Sequence, residues 1–159
     1  MMSKTDPQSG RPGFAFPLML LGAFRAVIDE LQEDLAHRGY SNMRPSYGFA
    51  LQAIGTQGAT AVDVGRRLDM SKQAAGKTID KLVEDGYVAR ASDPGDRRRK
   101  TVTLTARGVD VLTESACSFG RVRRRWIAVL GDAEFQALES GLQAISGESA
   151  GALDLTGWL

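Results

Sequence analysis

The chain is expected to be mainly α-helical with one small β-hairpin wing: a winged helix-turn-helix flanked by N- and C-terminal dimerisation helices. Three observations lead there. Two short helical patterns meet across a turn of only two or three residues just before Ser71. A hairpin pattern follows, residues 87–91 answered by residues 100–104 around the tip Asp93-Pro94-Gly95-Asp96-Arg97-Arg98-Arg99. Long amphipathic patterns stand at both ends, each with one narrow apolar stripe that so small a core cannot cover within one chain.

In the first long pattern, over about residues 18–38, Leu21, Phe24, Ile28, Leu31 and Leu35 recur at intervals of three and four. Asp29, Glu30, Glu33 and Asp34 fall elsewhere on the wheel. Gly39-Tyr40-Ser41-Asn42 ends that helix, and Pro45 opens a second that runs to Ile54. Thr60 caps a short third helix, with Asp63 three residues on as a near capping box. Asp69 then stands where a left-handed residue is needed, and Ser71 is the next N-cap.

Along the fourth helix Ala75, Ile79, Leu82 and Val83 form the stripe to be buried, with Gln73, Lys77, Asp80 and Glu84 roughly opposite. After the hairpin, Thr105 caps a fifth helix whose expected apolar face is Val109, Leu112, Ala116, Phe119, Trp126 and Leu130. Gly131-Asp132 interrupts it, and Phe135, Leu138, Leu142 and Ile145 mark a sixth. Residues 147–159 form a weakly patterned tail. Residues 1–13, polar and without an apolar run, are expected to be a disordered tail, neither signal peptide nor membrane span. Residues 14–159 then make one domain, with a DNA-binding lobe over about 45–105 and dimerisation helices over about 18–38 and 106–146.

The 159 residues carry a formal charge of only +1. That total hides an asymmetry, because residues 60–107 hold 11 basic and 7 acidic side chains and the remainder of the chain is acidic. A helix able to enter a major groove, followed within a dozen residues by a basic loop able to reach a neighbouring minor groove, is the layout of a reader of double-stranded DNA. One cysteine, Cys117, excludes an internal disulfide, and one histidine, His37, leaves too few ligands for a zinc cluster. No cofactor or metal is expected, and the chain is read as cytoplasmic. A serine or cysteine enzyme would have to draw its base from His37, and no Gly-x-Ser-x-Gly elbow is present, so catalysis is not expected.

The candidate DNA contacts follow from side-chain chemistry. Ser71 offers a hydroxyl and a helix N-terminus to phosphate, besides its role as a cap. Gln73 matches adenine bidentately, and Lys77 reaches guanine or phosphate one turn on. Lys72 and Thr78 are assigned to the backbone, where they set register. In the tip, Arg97, Arg98 and Arg99 supply the charge, while Asp96 reduces it. A carboxylate there makes sense if it pairs with Arg98 and holds that side chain extended for a narrow minor groove. On the fifth helix Arg121, Arg124 and Arg125 lie opposite the expected stripe and suit pairing with the acidic side of the first helix. Arg123 falls within the stripe and needs an anionic partner, either a protein carboxylate or a bound acid.

In the order Leu68-Asp69-Met70-Ser71-Lys72-Gln73, Gly86-Tyr87-Val88, Asp93-Pro94-Gly95-Asp96-Arg97-Arg98 and Leu104-Thr105-Ala106-Arg107-Gly108, the chain resembles the MarR (multiple antibiotic resistance regulator) family of bacterial winged-helix transcription factors over about residues 18–145. The resemblance implies a homodimeric regulator, here read as a repressor, with interlocked terminal helices, recognition helices in successive major grooves of a pseudo-palindromic operator and wings in the flanking minor grooves. It implies the Asp96–Arg98 pair, since the family places an Asp and an Arg at that spacing. It also implies release by a small effector, often an aromatic acid held between the dimerisation helices and the DNA-binding lobe, where Phe24, Arg25, Arg44, Tyr47 and Arg123 are the candidate contacts. Core packing accounts for Phe24 and Tyr47 equally well. Oxidant-sensing members place a cysteine early in the first helix and zinc-sensing members cluster several His and acidic ligands, so neither chemistry is supported here. The competing class is a winged-helix protein–protein module without DNA binding, disfavoured by the polar recognition face and the basic tip.

Overall fold

The computed structural model of the protein describes residues 12–92 and 100–146. The elements run α1 (Ala15–His37), α2 (Pro45–Ile54), β1 (Ala59–Thr60), α3 (Ala61–Arg67), α4 (Lys72–Glu84), β2 (Val88–Ser92), β3 (Lys100–Leu104), α5 (Ala106–Leu130) and α6 (Asp132–Ser146). The terminal segment expected to be disordered lies almost wholly outside the described residues, as do the wing tip and the C-terminal tail.

Local chemistry sets most boundaries. Helix α1 begins three residues earlier than expected because Pro17 falls in its first turn, where a missing N–H costs nothing. Pro45 opens α2. Thr60 and Asp63 form a reciprocal capping box at α3, the Thr60 hydroxyl oxygen accepting from Asp63 N and the carboxylate accepting from Thr60 N. The same bonds hold the Asp63 carboxyl below its ordinary pKa, the Thr60 side chain contributing most. Asp69 takes φ +50°, turning the chain between α3 and α4 as expected. Gly65 is required at that turn, since a Cβ there would stand 2.8 Å from the Met70 carbonyl oxygen.

The sheet has three strands, not two. β3 is central, pairing antiparallel with β2 from Val88↔Leu104 to Ser92↔Lys100 and with the two-residue β1 at Ala59↔Val102. Under it lies the core: Leu31 and Leu35 of α1, Leu51 and Ile54 of α2, Val64 of α3, Ala75, Ile79 and Leu82 of α4, Tyr87 and Val88 beside the sheet, and Val111 and Leu112 of α5. Tyr87 is fully buried, and its hydroxyl donates to Asn42 Oδ1 at 2.9 Å. The Arg107 guanidinium lies over the Tyr87 and Tyr40 rings. This cluster ties the α1–α2 connection to the start of α5.

The buried face of α5 departs from the expected one. It consists of Gly108, Val111, Leu112, Ser115, Ser118 and Val122, whereas Val109 and Leu130 are 43% and 44% exposed. The first turn fixes the rotation of the helix. Thr105 Oγ1 donates to the Gly86 and Tyr87 carbonyls, and Gly108 lies so close to the Tyr87 carbonyl that a Cβ would be 2.1 Å from its oxygen. Two serines can then face the core because each is hydrogen-bonded, Ser115 to the Val111 carbonyl and Ser118 to Asp34 of α1. Ser118 is the largest cause holding the Asp34 carboxyl below its ordinary value, followed by Arg121. Ion pairs Arg38–Glu114, Arg121–Asp34 and Arg125–Glu30 join α1 to α5 along successive turns, the pairing expected for Arg121 and Arg125.

Candidate nucleic-acid interface

Helix α4 packs on the core through Ala75, Ile79 and Leu82 and turns its other side outward. Ser71 caps it, its Oγ accepting from Ala74 N at 3.1 Å, so the hydroxyl is committed to the cap while remaining exposed. Lys72, Gln73 and Lys77 are exposed on the first two turns, and Thr78 is half-buried. The structure therefore gathers Ser71, Lys72, Gln73 and Lys77 on one outward surface at the N-terminal half of the helix, with Thr78 at its edge. In helix-turn-helix readers of DNA, base edges are contacted from the corresponding end of the second helix. The positive end of the helix dipole lies at the same end.

Strands β2 and β3 leave the core side by side from Val88 and Leu104 to Ser92 and Lys100, so the hairpin projects beside α4. The candidate tip residues Asp96, Arg97, Arg98 and Arg99 lie outside the described residues. What the strands add is a contact that sequence reading missed. Arg90 of β2 pairs with Asp80 of α4, joining the hairpin to that helix. Asp80 was legible as an outward residue and Arg90 as a basic strand residue. Only the docking of the strand against the helix brings the two together.

The effector candidates are not gathered within the protomer. Arg44 lines a hollow between α1, α2 and α5, whose apolar wall includes Ile28, Leu31, Met43 and Phe119. Its guanidinium stands 5.9 Å from the centre of the Tyr47 ring, which is half-buried against the core. Phe24 and Arg25 are exposed on α1 and do not line this hollow. Arg123 is exposed rather than buried in a stripe, and its partner is a protein carboxylate: Nε and Nη2 donate to Glu139 of α6 at 3.1 and 3.0 Å above the Phe135 ring. The Glu139 carboxyl is held below its ordinary value by that contact. Gln32, missed in the sequence, also lines the hollow, where its amide donates to the Met43 carbonyl. Cys117 is exposed on α5. Among the described residues, no helix is long and apolar enough to cross a membrane.

Comparison with known proteins agrees with this architecture. The sequence pattern of the MarR family matches residues 41–99, from the start of the second-helix region into the wing. No protein of curated function matches the chain in sequence. Among solved structures, the reduced form of MarR from E. coli superposes with a TM-score of 0.69 at 22% identity, covering 82% of this chain and 96% of that one. Bordetella bronchiseptica BpsR, whose DNA binding is regulated by 6-hydroxynicotinic acid, gives 0.64 at 22% identity, covering 83% and 98%. A variant of S. aureus MepR bound to an oligodeoxyribonucleotide gives 0.59 at 16% identity, covering 83% and 96%. The MarR family's sequence pattern lies across the helix-turn-helix, and the chain shares the winged-helix fold of those solved structures over most of its length.

Proposed function

We propose that the protein is a homodimeric, sequence-specific regulator of transcription that binds double-stranded DNA in the cytoplasm, acts as a repressor and is released by a small acidic or aromatic ligand. The observation that carries this reading is the outward face of α4, with Ser71, Lys72, Gln73 and Lys77 exposed beside a projecting hairpin whose tip sequence is rich in arginine. No catalytic role is assigned to any residue.

Support for the dimer comes from what the protomer leaves uncovered. In α1 the expected stripe is only half used: Leu31 and Leu35 are buried, while Leu21 and Phe24 remain 44% and 51% exposed. Phe16, Leu18, Met19 and Leu20 are exposed beside them, and at the other end of the chain so are Val129, Leu138, Leu142 and Ile145. So much apolar surface at both termini suits a second copy of the same helices, an isologous contact that doubles each patch. The two α4 helices would then face successive major grooves and set the half-site spacing.

The hollow between α1, α2 and α5 lies where dimerisation helices meet the DNA-binding lobe, and Arg44 gives it one cationic wall. BpsR, with the same fold, responds to an aromatic acid. The hollow as it stands has room for little more than a water, about 30 Å³, so an anionic aromatic ligand entering there would part α1 and α5 from α2 and thereby change the spacing of the two α4 helices. Selection of bound fragments from random duplex DNA tests the reading. Recovery of a pseudo-palindrome with half-sites about one helical turn apart supports it. A preference for single strands would refute it.

A further inference from the structure

Tyr87 follows the Asp85-Gly86 turn that ends α4, and it is bonded to α4, to α5 and to the α1–α2 connection at once. Its N–H donates to the Leu82 carbonyl at 2.9 Å, and its own carbonyl accepts from Thr105 N and Thr105 Oγ1 at the start of α5, both at 3.0 Å. Its side chain then crosses to the α1–α2 connection, where the hydroxyl donates to Asn42 Oδ1 at 2.9 Å and the ring centre lies 6.4 Å from that of Tyr40. Phenylalanine would fill the same space with no polar group to satisfy, so packing alone does not account for the hydroxyl. Helix α4 itself packs on α2, α3 and β2 and has no comparable contact with α1 or α5. Its pose against those two long helices is therefore set through intermediaries, α2 and Tyr87.

Asn42 stands next to the wall of the hollow between α1, α2 and α5. Met43 and Arg44 line that hollow, and the Met43 carbonyl accepts from the Gln32 amide of α1. Anything larger than a water must push this wall outward, and a shift of Met43 carries the adjoining Asn42 carboxamide with it. We propose that Tyr87 is a positioning residue that couples the hollow to the pose of α4, with the Asn42–Tyr87 hydrogen bond as the link. With the bond made, α4 is held in one pose against α1 and α5; with it broken, the pose relaxes. The inference rests on the dimeric DNA-binding reading above and deepens it by naming the route of regulation. In a dimer the pose of each α4 sets the half-site spacing, so the state of the bond is read out as tolerance of that spacing.

The test compares affinities of the full chain for its selected duplex and for one whose half-sites stand a single base pair further apart. Tyr87→Phe keeps the ring and deletes the hydroxyl. It should lower the ratio of the two affinities by roughly 2- to 10-fold, the net worth of one hydrogen bond, while discrimination against a changed base within a half-site stays as it was. Asn42→Ala, at an exposed position, should lower the ratio by a like amount, and the double variant by no more than either alone. Met43→Ala disturbs the wall of the hollow, so it should lower the ratio in the unsubstituted protein but not beside Tyr87→Phe. Denaturant melts establish that each variant is folded, and should Tyr87→Phe fail there, Asn42→Ala carries the same comparisons. An unchanged ratio for Tyr87→Phe, or losses for Tyr87→Phe and Asn42→Ala that simply add, overturns the link and leaves Tyr87 a packing residue. A Met43→Ala effect equal in both backgrounds, zero included, overturns the coupling to the hollow. An unsubstituted protein that binds neither duplex, or both alike, refutes the paired-helix reading itself, and the link falls with it.

Discussion

Gln73 is the residue on which sequence preference should turn. It is the second residue of α4, exposed, with no hydrogen-bond partner for its amide among the described residues. Replacement by alanine suits the helix and should leave folding untouched, since alanine is the better helix former. It removes no charge, so the salt dependence of non-specific binding should also stay the same. What is lost is a bidentate contact with adenine, about 1–3 kcal/mol of discrimination in each half-site, or roughly 5- to 150-fold at 1.4 kcal/mol per tenfold. The two protomers of a dimer read two half-sites, and the loss counts in both. Affinities for the selected duplex and for one with the read base pair changed, measured for both proteins, give the number directly. Should Gln73→Ala keep the same ratio and select the same sequence, Gln73 is not a reader and the reasoning from its exposure and position fails.

Gly108→Ala places a methyl group 2.1 Å from the Tyr87 carbonyl oxygen, so denaturant melts should show a loss on the order of 1–3 kcal/mol from forced displacement of packed backbone; unchanged stability would mean the contact at the start of α5 is not as close as described. The Asp34 carboxyl is lowered from 3.8 by Ser118 and then Arg121, so its stabilising effect is full above that value and disappears as pH falls through the lower folded-state value. The stability difference between the unsubstituted protein and Asp34→Asn should therefore be flat near neutrality and shrink in acid, and a difference independent of pH would exclude the α1–α5 clamp as its source. The pair Leu21→Glu and Phe24→Glu, both at exposed apolar positions of α1, should yield a folded monomer in sedimentation, whereas a persistent dimer would place the interface elsewhere.

What was legible in the sequence was what neighbours in the chain decide. Thr60 with Asp63, Ser71 and Thr105 announced their caps because the groups they satisfy lie two or three residues away. Asp69 announced its turn because few residues tolerate a positive φ. What depended on packing at a distance was read wrongly or not at all. β1 has two residues and exists only because β3 lies beside it. The face of α5 was misread because Ser115 and Ser118 count as polar in any periodicity, while their hydrogen bonds to Val111 and Asp34 make them core residues. Arg123 was placed on an apolar stripe that would make an anion necessary, but it is exposed, and it pairs with Glu139 on the next helix, 16 residues away. The site divides likewise: the face of α4 followed from local alternation of polar and apolar residues, whereas the Arg90–Asp80 pair follows only from how the hairpin docks.

The central claim is that two copies of this chain grip one duplex through paired α4 helices. Sedimentation of the protein with its selected pseudo-palindromic duplex, across a range of salt, tests that directly. Two protomers per duplex, with affinity falling steeply as salt rises, is the predicted result. A single protomer binding the full palindrome as tightly as the dimer, or tighter binding to either separated strand, would contradict it.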